Sequence, residues 1–369
     1  MNTPRTAALL LTSAFATALA PAQQRSLARS FAPAQPLVAR GQLVAPATGE
    51  HRELPGIKGH AAICRPHQPG VIAAGNLLVD LAGRQLLRVA GDEVVLTDLT
   101  GDVLWQRDVV AASLPKRAQL GDCWLHRTRV LVCSGGRIVA LERGNGEVAW
   151  RADGDAAPLA LVGGDLWLTA GAVGDHFVLQ ARSVQNGARA FRAELRSAPR
   201  RLHHAPHGVA ALQAACVEVF DAFGPRLFVV DGAFDEVHAD AAGWLLRRGL
   251  ELHAFDRAGE LRWRTTAERP RFVDQHRLHV TPSNAVLLAS DSEMSDSGAH
   301  VQRIDPNDGA VLWSRHVEGL NIPHSKYRHD TWLRARGADV DVVCQGSGGA
   351  FVVTLDSDDG EVHQRIDVR

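Results

Sequence analysis

The chain has 369 residues, 46% of them hydrophobic, and a formal net charge of −1. With 40 basic residues against 41 acidic ones and no basic run, nothing supports a nucleic-acid partner, because phosphate backbones are met by a concentrated basic surface. Two or more domains are the ordinary expectation at this length, yet closed all-β folds and repeat arrays run as long in one unit.

The first residues, MNTPRTAALLLTSAFATALAPAQQ, have the three parts of a secretory signal. Arg5 gives the positive start, Thr6 to Leu19 the apolar stretch, and Ala20-Pro21-Ala22 the small-residue site, with cleavage expected before Gln23. No cysteine precedes Cys64, which argues against a lipid anchor at that site. No later run reaches the ~20 apolar residues of a membrane span. Residues 1–22 are therefore expected to be a signal peptide and 23–55 a flexible linker, with LVARGQLVA able to pair as an extra strand.

Residues 56–369 carry a repeat. Glycine recurs at Gly101, Gly146, Gly187, Gly224, Gly259, Gly309 and Gly360, in steps of 45, 41, 37, 35, 50 and 51 residues. Such steps match the ~40–50 residues of a four-stranded propeller blade. Four residues after each glycine stand Trp105, Trp150, Phe191, Phe228, Trp263 and Trp313, and only the last repeat departs, with Gln364. Just before each glycine stands Asp98, Glu142, Ser183, Asp221, Asp256, Asp305 or Asp356. A short polar side chain there accepts hydrogen bonds from a turn, glycine supplies its positive φ, and the apolar run before it is β-prone. A second series, Trp124, Trp167, Trp244 and Trp332, each before a leucine, suits the innermost strand of a blade.

TDLTGDVLW at 97–105, ALERGNGEVAW at 140–150, AFDRAGELRW at 254–263 and RIDPNDGAVLW at 303–313 resemble the repeat of PQQ-type, quinoprotein-like propellers. The resemblance implies an all-β propeller of about seven four-stranded antiparallel blades, eight being the alternative. Because no blade buries both faces alone, blades stack around an axis. The repeat frame sets the turn before each anchor aromatic on one face. The links between blades and the turns between second and third strands lie on the other, where loops on a rigid scaffold carry function.

The candidate binding face is accordingly His203, His204, His207, Arg271, His276, His324, Lys326, Tyr327, Arg328 and His329, with His60 and His67 leading into it. HHAPH matches no standard zinc spacing, so these are expected as surface histidines rather than a metal site. Arg200, Arg201 and Arg269 on the same face are expected as solvated charges. Asp291-Ser-Glu293-Met-Ser-Asp296 lacks the calcium-loop spacing and is expected as a solvated acidic loop. CSGG at 133–136 and QGSGG at 345–349 have neither the phosphate-loop pattern nor a following helix, and are expected as turns between second and third strands.

Of five cysteines, Cys123 and Cys133 lie symmetrically about Thr128, which permits a cross-strand disulfide, two buried thiols being the alternative. Quinoprotein dehydrogenases of the resembled family hold calcium and quinone with acidic residues, and many have adjacent cysteines; no two cysteines are adjacent in this chain. The expectation is an exported, periplasmic or secreted monomer. It would be non-catalytic, without cofactor or metal, binding another envelope or secreted protein as a scaffold similar to BamB. The alternatives are a PQQ- and calcium-dependent oxidoreductase and a carbohydrate- or small-ligand-binding propeller.

Overall fold

The computed structural model describes residues 37–39, 42–44, 51–55, 64–68, 71–90, 92–109, 119–134, 136–153, 159–268, 273–281, 284–292, 298–319, 330–346 and 349–368. The expected signal peptide lies outside them. Within the expected linker, Leu37–Ala39, Gln42–Val44 and His51–Glu53 form a three-stranded antiparallel sheet, and LVARGQLVA is its first hairpin.

The seven repeats are seven blades, each an antiparallel meander. Blade 1 (64–108) has six strands. Blades 2 (123–153), 3 (159–195), 4 (199–231), 5 (236–266), 6 (273–317) and 7 (330–368) have four each. No α-helix occurs among the described residues, and none is long and apolar enough to cross a membrane.

Each anchor works as its residues dictate. All seven glycines have positive φ, from 71° to 109°. At Gly101 the turn is closed by Asp98, whose Oδ1 accepts the N–H groups of Thr100, Gly101 and Asp102 at 2.7, 2.9 and 3.0 Å. Every blade also has a bulge between its last two strands, one step before this turn. The bulge fixes the residue opposite each anchor aromatic, a small alanine for Trp150, Phe191 and Trp263.

The aromatic then lies on the anchor glycine of the next blade. A Cβ on Gly146 would come 2.7 Å from the Trp105 ring, and Gly187 and Trp150, Gly309 and Trp263 repeat the contact. The indole N–H donates to a carbonyl of the same turn: Trp105 to Arg143 and Trp150 to Val184 at 2.8 Å, Trp263 to Pro306 at 2.9 Å. Glycine is required twice over, by φ and by the ring lying on it.

The apolar core is divided accordingly into seven clusters, one per seam between neighbouring blades. Blade 7 has Gln364 where the wedge belongs, and Gly101 of blade 1 is met instead by Pro55, to whose ring carbons a Cβ would stand 3.0 and 3.3 Å. Leu54, 2% exposed, is buried in the same seam with Leu99, Val343, Val352 and Val368. The segment before blade 1 thus supplies the missing wedge and closes the ring.

The second tryptophan series splits. Trp124 and Trp332 are on first, innermost strands (Cys123–Leu125 and Asp330–Arg336), but Trp167 and Trp244 are on second strands (Leu166–Val173 and Gly243–Arg248). In blades 3 and 5 a tight Gly- or Asp-containing turn precedes the tryptophan, so the first strand ends before it.

The cysteine symmetry is off by one. Cys123 pairs with Val132 rather than Cys133, which sends the two side chains to opposite faces of the sheet. Both thiols are free.

Candidate functional site

First strands of successive blades lie side by side around the axis. Between blades 1 and 2 the link is His67, whose ring Nε2 donates to the Cys123 carbonyl at 3.0 Å. These strands enclose a cavity of about 1070 Å³. Its wall is aliphatic at Val71, Ile72, Leu125, Leu161, Val162 and Leu333, with Trp332 on one side. Into this wall are set six imidazoles: His67, His126, His203, His204, His238 and His279.

Strand alternation decides where adjacent histidines go. On Pro199–Ala205, the first strand of blade 4, His204 turns toward blade 3, where its ring fills the space a Cβ on Gly163 would occupy. His203 turns toward blade 5, its ring centroid 5.1 Å from that of His238 on Glu236–Ala239. His203 Nε2 accepts the Ala239 N–H at 3.2 Å, which leaves Nδ1 as its donor. His279, on Val273–Val280 of blade 6, is the next in line. Its Nε2 is shut off from solvent without a hydrogen-bond partner.

Burial holds these rings neutral. Burial first, with the neighbouring imidazoles adding to it, lowers His203 and His238 to about 3, and burial lowers His279 to about 4. The Arg201 guanidinium acts on both of those rings in the same sense, and Arg247 on His238. His67, His126 and His204 are likewise lowered, first of all by burial.

The charged groups beside the arc are engaged with one another. Glu236 is buried, accepts from Arg247 Nε at 2.9 Å and Arg201 at 3.4 Å, and takes the Leu278 N–H of blade 6 at 2.8 Å. In blade 3 Asp165 accepts both Arg127 contacts, at 3.0 and 3.1 Å, and faces His126 Nε2 at 3.4 Å.

Among the described residues, the histidines expected on the loop face occupy other places. His203, His204 and His276 are on innermost strands, and His276 Nδ1 is bonded to Ser290 Oγ at 2.8 Å. His207 lies in the turn after the first strand, on the anchor-turn side, with Nε2 3.1 Å from the Gly243 carbonyl and its ring edge-on to Trp244 at 4.9 Å. Arg200 is bonded to the Phe234 carbonyl at 2.7 Å. Arg271, His324, Lys326, Tyr327, Arg328, His329, Arg269 and His60 lie outside the described residues, as does the centre of the acidic loop at 293–297. The two glycine-rich stretches do connect second and third strands.

Of the lining histidines, His126, His238 and His279 are absent from the candidate face read from the sequence, where His67 stands only as a residue leading into it. One signal for His238 was present: it follows His203 by 35 residues, the step from Gly224 to Gly259.

A calcium-held quinone needs converging carboxylates, and Asp165 is the only one in the described lining, already taken by Arg127. The residues present do not fit that group. No three His, Cys, Asp or Glu side chains converge on a metal position among the described residues.

Residues 90–271 and 222–369 match the sequence profile of the family described as outer membrane protein assembly factor BamB. Among solved structures, BamB from Moraxella catarrhalis is 14% identical with a TM-score of 0.48, over 77% of this chain and 82% of that one. Quinohemoprotein alcohol dehydrogenase from Comamonas testosteroni is 11% identical with a TM-score of 0.48, over 81% and 66%. Hsv2p from Kluyveromyces lactis is 11% identical with a TM-score of 0.43, over 63% and 71%. No curated protein sequence matches the chain.

Proposed function

The chain belongs to the BamB family of PQQ-type propellers, and on that premise we propose that it is an exported, non-catalytic propeller that binds other envelope or secreted proteins through its loop face. The observation that carries this reading is the chemistry of the central wall. A quinone dehydrogenase concentrates carboxylates around its cation, whereas this wall offers neutral imidazoles, aliphatic side chains and one carboxylate already paired with an arginine. A rigid ring of blades with long links on one face suits a docking platform. The family description, an assembly factor for outer membrane proteins, supports a partner in the cell envelope. We take the working unit to be a monomer, with residues 1–22 removed on export.

The test pairs a measurement in cells with one on the purified mature protein. In-cell photo-crosslinking from loop-face positions, read by mass spectrometry, is expected to capture a reproducible envelope protein, with no change in visible absorbance on adding PQQ and calcium. Stoichiometric quinone uptake with alcohol or sugar oxidation would overturn the reading in favour of the oxidoreductase.

A further inference from the structure

We propose that the central cavity binds a small organic anion, a carboxylate or a phosphate ester, against the imidazoles of His203, His238 and His279. This is separate from protein docking on the loop face, and either can fail without the other.

Three arguments converge. A cavity of about 1070 Å³ walled by aliphatic groups with a few converging polar ones is the ordinary form of a small-molecule site, where the polar groups orient and the apolar wall excludes water. The polar groups here are placed as a set: His203, His238 and His279 stand on the first strands of three successive blades. His203 and His238 are 5.1 Å apart, and the buried His279 Nε2 lacks a partner that a ligand atom would supply.

The sign of the ligand follows from the charges around the arc. Arg201 from blade 4 and Arg247 from the second strand of blade 5 act on these rings, with His204 and His207 nearby. Glu236, outside the cavity lining, has both of these arginines and the Leu278 N–H on it already. The described lining itself carries two guanidinium groups, Arg127 and Arg334, against one carboxylate, Asp165, which Arg127 engages, so a cation would meet more positive charge than negative. An anion would meet imidazole N–H donors, His203 Nδ1 first, and would ease the proton onto rings that burial otherwise keeps neutral. Binding is then linked to proton uptake and strengthens as pH falls.

The test is calorimetric titration of the mature protein with citrate and with inorganic phosphate at pH 8 and pH 5.5, glucose and nickel chloride serving as the neutral and cationic probes. Saturable binding of one of the two anions is expected, about tenfold tighter at pH 5.5. His238→Leu and His279→Gln, each checked for native circular dichroism, are expected to weaken it about tenfold or more, while His316→Gln, on the outer strand of blade 6, leaves it unchanged. Should His238→Leu not fold, His279→Gln alone decides. The proposal is overturned by no saturable anion binding at either pH, by anion binding that the folded arc variants leave intact, or by preference for glucose or nickel.

Discussion

The Glu236 carboxylate accepts the backbone N–H of Leu278 at 2.8 Å, so a side chain of blade 5 ends on the first strand of blade 6. The same carboxylate holds Arg247 of its own blade and Arg201 of blade 4, tying three blades at one buried point. Glu236→Ala takes from the buried Arg247 one of its two carboxylates, leaving Asp235 at 3.3 Å, and leaves the Leu278 N–H without that acceptor. A loss of about 3 kcal/mol is expected in urea unfolding, most of it from the under-compensated buried charge. Glu236→Gln, which keeps an acceptor but not the charge, is expected to lose nearly as much; a far smaller loss would deny the charge its role.

Gly146 and Trp105 test the wedge between blades. Gly146→Ala places a Cβ into the ring at a φ of 71°, where the backbone strain alone is about 1–2 kcal/mol. Trp105→Ala empties the seam and is expected to cost about 3–5 kcal/mol. In the double variant the clash disappears, so the combined cost is expected to fall short of the sum by about 1 kcal/mol or more. Strict additivity would mean the ring does not lie on the glycine.

Pro55→Ser removes the ring carbons that stand on Gly101. Hydrogen exchange is expected to quicken at the facing edges of blades 1 and 7, with blades 3 to 5 unaffected. Uniform quickening, or none, would count against closure by this segment.

Acid is expected to weaken the fold before the carboxylates titrate. In the unfolded chain histidine takes its proton near pH 6.5. In the folded chain His203, His238 and His279 refuse it until about 3, 3 and 4. Between these values the unfolded state binds more protons, so stability is full above pH 6.5 and falls as pH drops below it, by up to about 1.4 kcal/mol per pH unit for each ring. Urea unfolding between pH 7.5 and 5.5 is expected to show this slope, and His279→Gln to flatten it. A slope identical to wild type in that variant would contradict the assignment.

Cys123 and Cys133 are expected to alkylate fully after denaturation without reductant. Before denaturation Cys133 reacts first, although burial pushes its thiol up to about 11, because Cys123 is wholly enclosed and is pushed up further. A bridged pair in the denatured, unreduced protein would mean the hairpin register is different.

What the sequence made legible is what local chemistry enforces. A turn that needs positive φ and a side-chain acceptor shows glycine and, in five of the seven repeats, Asp, so all seven anchors are visible and correctly phased. Gly146 under Trp105 is one such pair. His203 and His204 were harder: RRLHHAPH is as polar as a loop, because the first strand of a blade looks onto a cavity and lacks the usual apolar alternation. Trp167 and Trp332 share a local motif but not a strand, since the turn before Trp167 shifts the chain by one strand. Pro55 carried no signal, for its partner Gly101 is met through the closed ring rather than through the repeat.

That wedge also sets an order of events. Six seams join blades adjacent in sequence and can form as each blade emerges. The seventh unites Leu54 and Leu99 with Val343, Val352 and Val368, residues synthesised after the first six blades. Until blade 7 arrives, the flank of blade 1 is an open apolar surface, and the loop that must close spans most of the chain. A chain shortened by its final blade would therefore lose two seams rather than one. It would also present blade 1 to the first sticky edge it meets.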